Sequence, residues 1–122
     1  MNIEQYWDDV LRQRGYRLPE YFWNDAHIDW PCTNERFTVK EFIKVNCLYP
    51  GDWDGRVEKT IASGNRLITV AHVFSADHAA SFHVTSFFAL KEDRILSLEE
   101  YWTDDGPPPA WRVEMKVGKP IR

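Results

Sequence analysis

His72 and His83 flank an Asp77-His78 turn in the stretch AHVFSADHAASFHVTSFF, Ala71 to Phe88, and imidazoles brought together in this way can divide proton donation and acceptance between them. On both sides of the turn, β-branched or aromatic residues alternate with small or polar ones, the period of a half-buried strand. A two-residue loop at Asp77-His78 pairs His72 with His83 directly across a hairpin, on one sheet face, with Cβ atoms about 5 Å apart. The structural alternative is two neutral histidines bonded to each other or to a hydroxyl in a partly polar core, and residue type alone does not separate the two.

The chain that must position this pair has 122 residues, the length of one domain with a core that needs no disulfide or metal. Aromatic residues make up 15% of it, six of them Trp, enough large rings to wall a pocket. The net charge is -4 with the basic residues scattered, so no basic stripe offers nucleic acid a surface. No apolar run approaches the ~20 residues that cross a bilayer. Neither nucleic acid nor membrane is an expected partner. Cys32 and Cys47 lack CxxC spacing and nothing before them resembles a secretion signal, which points to a reducing cytoplasm.

Ile3 to Arg14 places Ile3, Tyr6, Trp7, Val10 and Leu11 on one helical face before Gly15, an amphipathic helix. Pro19 starts a short second helix through Trp23, and Ala26 to Cys32 alternates as a short strand stopped at Pro31. Thr38 with Glu41 forms a capping box ahead of Val39, Phe42, Ile43 and Leu48, and Pro50-Gly51 ends that helix. Four strands follow, about Trp53 to Ser63, Arg66 to Ala76, Ala79 to Lys91 and Arg94 to Thr103, with short turns that make neighbours antiparallel. Pro107-Pro108-Pro109 closes the last one. Helices first and a meander after them define an α+β fold.

This order of elements, with Asn24-Asp25-Ala26 leading into a strand, Arg94-Ile95 opening the last strand and Tyr101-Trp102 closing it, resembles the SnoaL-like, nuclear-transport-factor-two-like superfamily of ketosteroid isomerase, scytalone dehydratase and polyketide cyclases. The resemblance covers nearly the whole chain and implies one domain over 1–122. It implies a cone-shaped curved antiparallel sheet on two or three N-terminal helices, a cystatin-like α+β roll. Matched by position, the oxyanion tyrosine of the isomerase falls on Tyr6. The general base falls on Trp30, which cannot take a proton, and the protonated acid on Thr85, a hydroxyl. Two of the three positions depart from the isomerase machinery.

The resemblance puts Thr85 in the cavity and, by strand parity, His83, Phe87, His72 and Val70 with it; Trp102 matches a cavity tryptophan and brings Glu100. The expected catalytic set is His72, His83, Glu100, Tyr6 and Thr85, with Trp30, Ile28, Val70, Phe87 and Trp102 as ligand-binding walls. Such a site suits isomerisation, dehydration or cyclisation of an apolar or aromatic carbonyl compound without a cofactor. A structural Glu100 would pair with Arg112 or Arg56, and Tyr6 would be a core phenol. A metal held by His72, His83 and Glu100 has no supporting ligand spacing, and none is expected. Asp8-Asp9 and the other acidic doublets read as solvated turns and helix ends. The alternative to an enzyme is a ligand-binding or assembly module of the same fold. The opposite face would carry Leu67, Ala71, Val73, Phe82, Val84, Phe88, Leu90, Ile95 and Tyr101. With no helix left to cover it, a homodimer through Val84, Phe88, Leu90 and Tyr101 follows.

Overall fold

The apolar stripe of the first segment makes α1 (Ile3–Leu11), capped by the Asn2 side chain, which accepts the Gln5 N–H at 3.0 Å. The helix stops at the end of its stripe, short of the expected Arg14, because Gln13 turns left-handed, at φ 55°, and its amide donates to the Asn46 and Tyr49 carbonyls. Those carbonyls lie in and just beyond α2 (Val39–Leu48), whose capping box of Thr38 and Glu41 is formed as the sequence predicts. A 3-10 turn, Leu18–Tyr21, stands where a second helix was expected. This computed structural model describes residues 1–122 throughout.

The strands are β1 (Phe22–Trp30), β2 (Glu35–Thr38), β3 (Trp53–Ser63), β4 (Arg66–Ser75), β5 (Ser81–Lys91) and β6 (Arg94–Asp104). They form one curved, open sheet in the order β2-β1-β6-β5-β4-β3. Pairing is antiparallel except where β1 joins β6 in parallel. A short helix α3 (Ala110–Glu114) follows the sheet, after the proline run, and Trp111 on it is exposed. Close approach within the sheet dictates one residue type: a Cβ on Gly55 would stand 2.3 Å from the His72 carbonyl oxygen, so β3 passes β4 there only as glycine.

The hairpin register is the one read from the sequence, His72 opposite His83. The loop is longer than two residues but centred on the same point, with Ser75 N–H bonded to the Ala80 carbonyl, and a loop that grows equally on both sides keeps the register. The face is the reverse of the one expected. Leu67, Ala71, Val73, Val84 and Phe88 are buried in the core with Tyr6, Trp7 and Phe22, and Trp7 Nε1 donates to Thr69 Oγ1 at 3.2 Å from the helix layer. Alternation therefore sends Val70, His72, His83, Thr85 and Phe87 to the side away from the helices.

A bulge in β6 separates Glu100 and Trp102 from the histidines. Leu90 pairs with Ile95 but Ala89 pairs with Ser97, so Leu96 is an extra residue in a bulge. A bulge exchanges the two faces of everything beyond it. Ile95 and Leu98 both face inward, at 0% and 1% exposure, and Glu100 and Trp102 come to lie across from Ser86 and Val84. Without the bulge, a tight Glu92-Asp93 turn would set them across from Thr85 and His83. Val84 and Phe88, expected as dimer contacts, are core residues, and Leu90 is partly buried against the same core.

Asp9 also departs from the expectation of a solvated acidic doublet: it is fully buried. Tyr21 Oη donates to it at 2.5 Å, Arg14 at 2.9 Å and Arg17 at 3.1 Å. Burial pulls its carboxyl upward, but the donors outweigh burial and hold it below the usual carboxylate range. Burial and the bonded Asp9 charge push the Tyr21 phenol up to about 12. A carboxyl depressed on folding adds stability that is present above its unfolded pKa and lost as pH falls through the folded one. Asp9→Asn should cost about 3 kcal/mol at neutral pH, the low end for a broken buried pair because both arginines reach water. Urea unfolding should show that gap closing in acid.

Candidate functional site

Between α1, α2 and the inner sheet face lies a cavity of about 270 Å³. Trp7 and Val10 of α1, Phe42 and Val45 of α2, and Val73 and Phe82 of the hairpin wall it with apolar surface, and Trp30, Trp53 and Trp102 add indoles. Its one buried ionisable group is Glu100, 2% exposed. Ser86 Oγ donates to Oε2 at 2.6 Å and Trp30 Nε1 to Oε1 at 3.2 Å, and no arginine reaches it, contrary to the expected structural pairing. Burial raises the Glu100 pKa, and the two hydrogen bonds offset only part of that rise. A carboxyl in this state acts as a proton donor nearer neutrality than an exposed one does.

Two buried donors close by have no acceptor in the protein, Tyr6 Oη and Trp102 Nε1. Tyr6 is enclosed edge-on by Trp7, Tyr21, Phe22 and Phe88. Burial first, then the nearby Glu100 and Tyr21 charges, raises its phenol well above the ordinary value. Trp102 is a wall residue of the cavity. A buried donor without a partner costs roughly 1–3 kcal/mol, and of the two only Trp102 belongs to a residue that lines the cavity.

Of the residues read from the sequence, the fold brings Glu100, Trp30 and Trp102 together around the cavity. Tyr6 lies behind them in the core, and Ile28 is buried there too, away from the cavity lining. His72, His83, Thr85, Val70 and Phe87 are on the opposite face, so the two histidines and Glu100 do not share a site. Ser86, Trp7 and Phe82 were not read as site residues. Ser86 follows once the Leu96 bulge is known, since it faces Glu100 across β5 and β6, and Phe82 shares its strand face; the signal for Trp7 is its place on the apolar stripe of α1.

The histidines form a second cluster. Their rings stack at 4.7 Å between centroids and 6° between planes. His72 Nε2 lies 2.8 Å from Ser81 Oγ, and Ser81 Oγ donates to Asp105 Oδ2 at 2.5 Å. His83 places Nδ1 2.6 Å from Asp105 Oδ1 and Nε2 2.9 Å from Glu58 Oε1. Burial raises the Asp105 carboxyl, but the bonds from Ser81 and His83 prevail and hold it below its ordinary value.

No protein-family model matches the sequence and no curated protein does; solved structures do. A candidate ketosteroid isomerase from Kribbella flavida DSM 17836 superimposes with TM-score 0.78 at 20% identity, over 95% of this chain and 85% of its own. An NTF-2 like protein of unknown function from Burkholderia xenovorans LB400 gives TM-score 0.75 at 18% identity, over 93% and 88% of the two chains. An LEH-like epoxide hydrolase of M. tuberculosis gives 0.65 at 11% identity, over 79% and 75%. The fold they share is the NTF2-like, ketosteroid isomerase-like cone, and this chain has it. At these identities the likeness extends to architecture and not to chemistry.

Glu100 provides a test of the cavity's electrostatics. A carboxyl raised on folding keeps a proton that the unfolded chain gives up, so its contribution is complete below the ordinary value of 4.5 and is lost as pH rises toward the folded pKa. Glu100→Gln keeps the shape and cannot ionise. Chemical unfolding between about pH 4 and pH 8 should show the unmodified protein losing stability relative to the glutamine variant as pH rises. A difference that does not change with pH would mean that the buried carboxyl does not titrate there.

Proposed function

We propose that the cone binds an apolar or aromatic small molecule bearing a carbonyl, and that Glu100 is the group that moves a proton in a cofactor-independent isomerisation, dehydration or cyclisation. The observation that carries this reading is the Trp102 indole N–H, buried at the cavity wall with nothing in the protein to accept it. A ligand carbonyl oxygen satisfies it while the rings of Trp7, Trp30 and Phe82 hold the apolar body. The volume is near the small end of ligand pockets and suits a molecule of about one or two rings. One structural neighbour is named as a candidate ketosteroid isomerase and another as an LEH-like epoxide hydrolase, names that agree with this use of the fold.

The second reading is binding without turnover. Both Glu100 oxygens already accept a hydrogen bond, an arrangement that also suits a carboxyl kept still as part of a wall. A thermal-shift panel of aromatic and polyketide-like carbonyl compounds, followed by rate assays on those that bind, separates the two. Trp102→Phe should weaken binding about tenfold, the value of one neutral hydrogen bond. Glu100→Gln should slow turnover by about 10²- to 10⁴-fold with the fold intact. Binding that persists with no turnover to lose selects the binding module, and failure of every compound to stabilise the protein removes the ligand reading.

The outer sheet face supports a second copy of the chain as partner, through residues other than those first expected. Phe87, Leu96 and Tyr101 are 38–40% exposed there, and a two-fold axis lets one such patch cover itself. No helix of the structure is long and apolar enough to cross a membrane, and the unpaired Cys32 and Cys47 fit a reducing cytoplasm. Light scattering at micromolar concentration should give the dimer mass, and Phe87→Glu should give the monomer. A monomer mass for the unmodified protein removes the proposed interface.

A further inference from the structure

The outer-face histidine cluster is built from four adjacent elements of the sheet: Glu58 on β3, His72 on β4, His83 on β5, and Asp105 just after β6. One ring nitrogen of each histidine and a carboxylate oxygen of Glu58 lie within 4.8 Å of one another. We propose that this cluster is a site for a divalent transition-metal ion such as zinc, with His72, His83 and Glu58 as ligands. It is independent of the cavity and of what the cavity binds.

The hydrogen bonds behind the ligands argue for it. A carboxylate oxygen can only accept, so Asp105 takes the Nδ1 hydrogen of His83 at 2.6 Å. The other nitrogen, Nε2, faces a second carboxylate oxygen at 2.9 Å, and that contact is attractive only with a positive species at the nitrogen, a second ring proton or a metal ion. Ser81 spends its single hydrogen on Asp105, so its oxygen accepts from His72 Nε2, and His72 keeps a lone pair at its other nitrogen. Each histidine thus has one nitrogen anchored on the Asp105 side, His72 through Ser81 and His83 directly, while the other nitrogen of His83 points at Glu58, the arrangement in which a carboxylate orients a metal-binding imidazole and raises its basicity. Two imidazoles and a carboxylate with water in the fourth position are a donor set that zinc accepts.

The dimensions set what must move. Donor atoms around a tetrahedral zinc are about 3.3 Å apart, given bonds near 2.0–2.1 Å, so His83 Nε2 and Glu58 Oε1, at 2.9 Å, separate slightly, and the separations to His72, within 4.8 Å, shorten by at most about 1.5 Å. The stacked rings cannot both point at one ion while their planes are 6° apart, and one ring must turn about its χ2 bond. Both histidines are partly exposed, at 21% and 25% of their side chains, and neither is wedged in the core. Glu100, the carboxylate first considered with this pair, is on the other side of the sheet and takes no part.

The test is titration of chelator-treated, dialysed protein with zinc chloride by calorimetry, and with cobalt(II) chloride by visible absorption. One equivalent per chain is expected, with cobalt giving the intense bands of a low-symmetry nitrogen and oxygen site. His83→Asn, His72→Asn and Glu58→Gln should each weaken binding by well over tenfold, and Asp105→Asn, which removes only the orienting carboxylate, by about 10- to 100-fold. His27→Asn, His78→Asn and the Cys32→Ser, Cys47→Ser double variant should leave binding unchanged. Far-UV circular dichroism confirms that each variant is folded. Binding below half an equivalent, binding that survives loss of His72 and His83, or binding lost with the cysteines would each overturn the proposal.

Discussion

The packing of α1 onto the sheet through Tyr6 is the contact from which the rest of the molecule takes its shape. Its ring is fully buried and meets Tyr21, Phe22 and Phe88 edge-on, tying helix, 3-10 turn, β1 and β5 at one point. Edge-to-face contacts of this kind add about 0.5–1.5 kcal/mol each beyond the area they bury. One turn further along the helix, Asp9 fastens the chain from Arg14 to Tyr21 beneath it. With α1 held at this distance from the sheet, Trp7 and Val10 become a cavity wall, and Gln13 joins α1 to α2 so that the second wall cannot drift from the first.

Glu100 shows what this geometry does to a single charge. In water its carboxyl would be an ordinary acid; between Trp30, Ser86 and the indole of Trp102 it faces little that can solvate an anion. Two hydrogen bonds are enough to hold it in place but not enough to cancel the cost of burial. The cavity therefore combines an apolar body with one polar end, where a carboxyl that resists ionisation shares the wall with Trp102, whose indole N–H lacks an acceptor. On the far side of the same strands the balance is reversed, because His83 hydrogen-bonds to the carboxylates of Asp105 and Glu58 and His72 reaches Asp105 through Ser81.

Much of the fold was legible in the chain. The Thr38-Glu41 cap, the α1 stripe and the limits of β3 to β6 each rest on local chemistry, namely capping, spacing and turns. The His72-His83 pairing was legible for the same reason, since register depends on where a loop is centred. Which face the pair occupied was not. On β4 the set Leu67, Thr69, Ala71, Val73 is hardly more apolar than Ile68, Val70, His72, Phe74, so alternation alone does not choose between them. Leu96 separates the pair from Glu100 and Trp102, and its bulge carries no signature of its own in a run of ordinary strand formers. Matching Thr85 to a cavity position of the family placed His83, and His72 opposite it, in the cavity, while Trp102 and Glu100, beyond the bulge, were placed there separately. The buried state of Asp9 was hidden differently, since its partners Arg14, Arg17 and Tyr21 come close only after the chain turns at Gln13.

The parallel pairing of β1 with β6 has a consequence for how the chain is made. β1 is complete by Trp30, but its neighbour on the core side of the sheet is the last strand, so until Asp104 has left the ribosome it has only the short β2 beside it. Phe22, Ala26 and Ile28, all buried in the finished protein, then have no sheet to enter. Meanwhile β3, β4 and β5 can zip as consecutive hairpins while the nascent chain lengthens. Joining the two parts closes a long loop at a late stage, and topologies of that kind fold slowly and leave apolar surface open to chaperones in the interval.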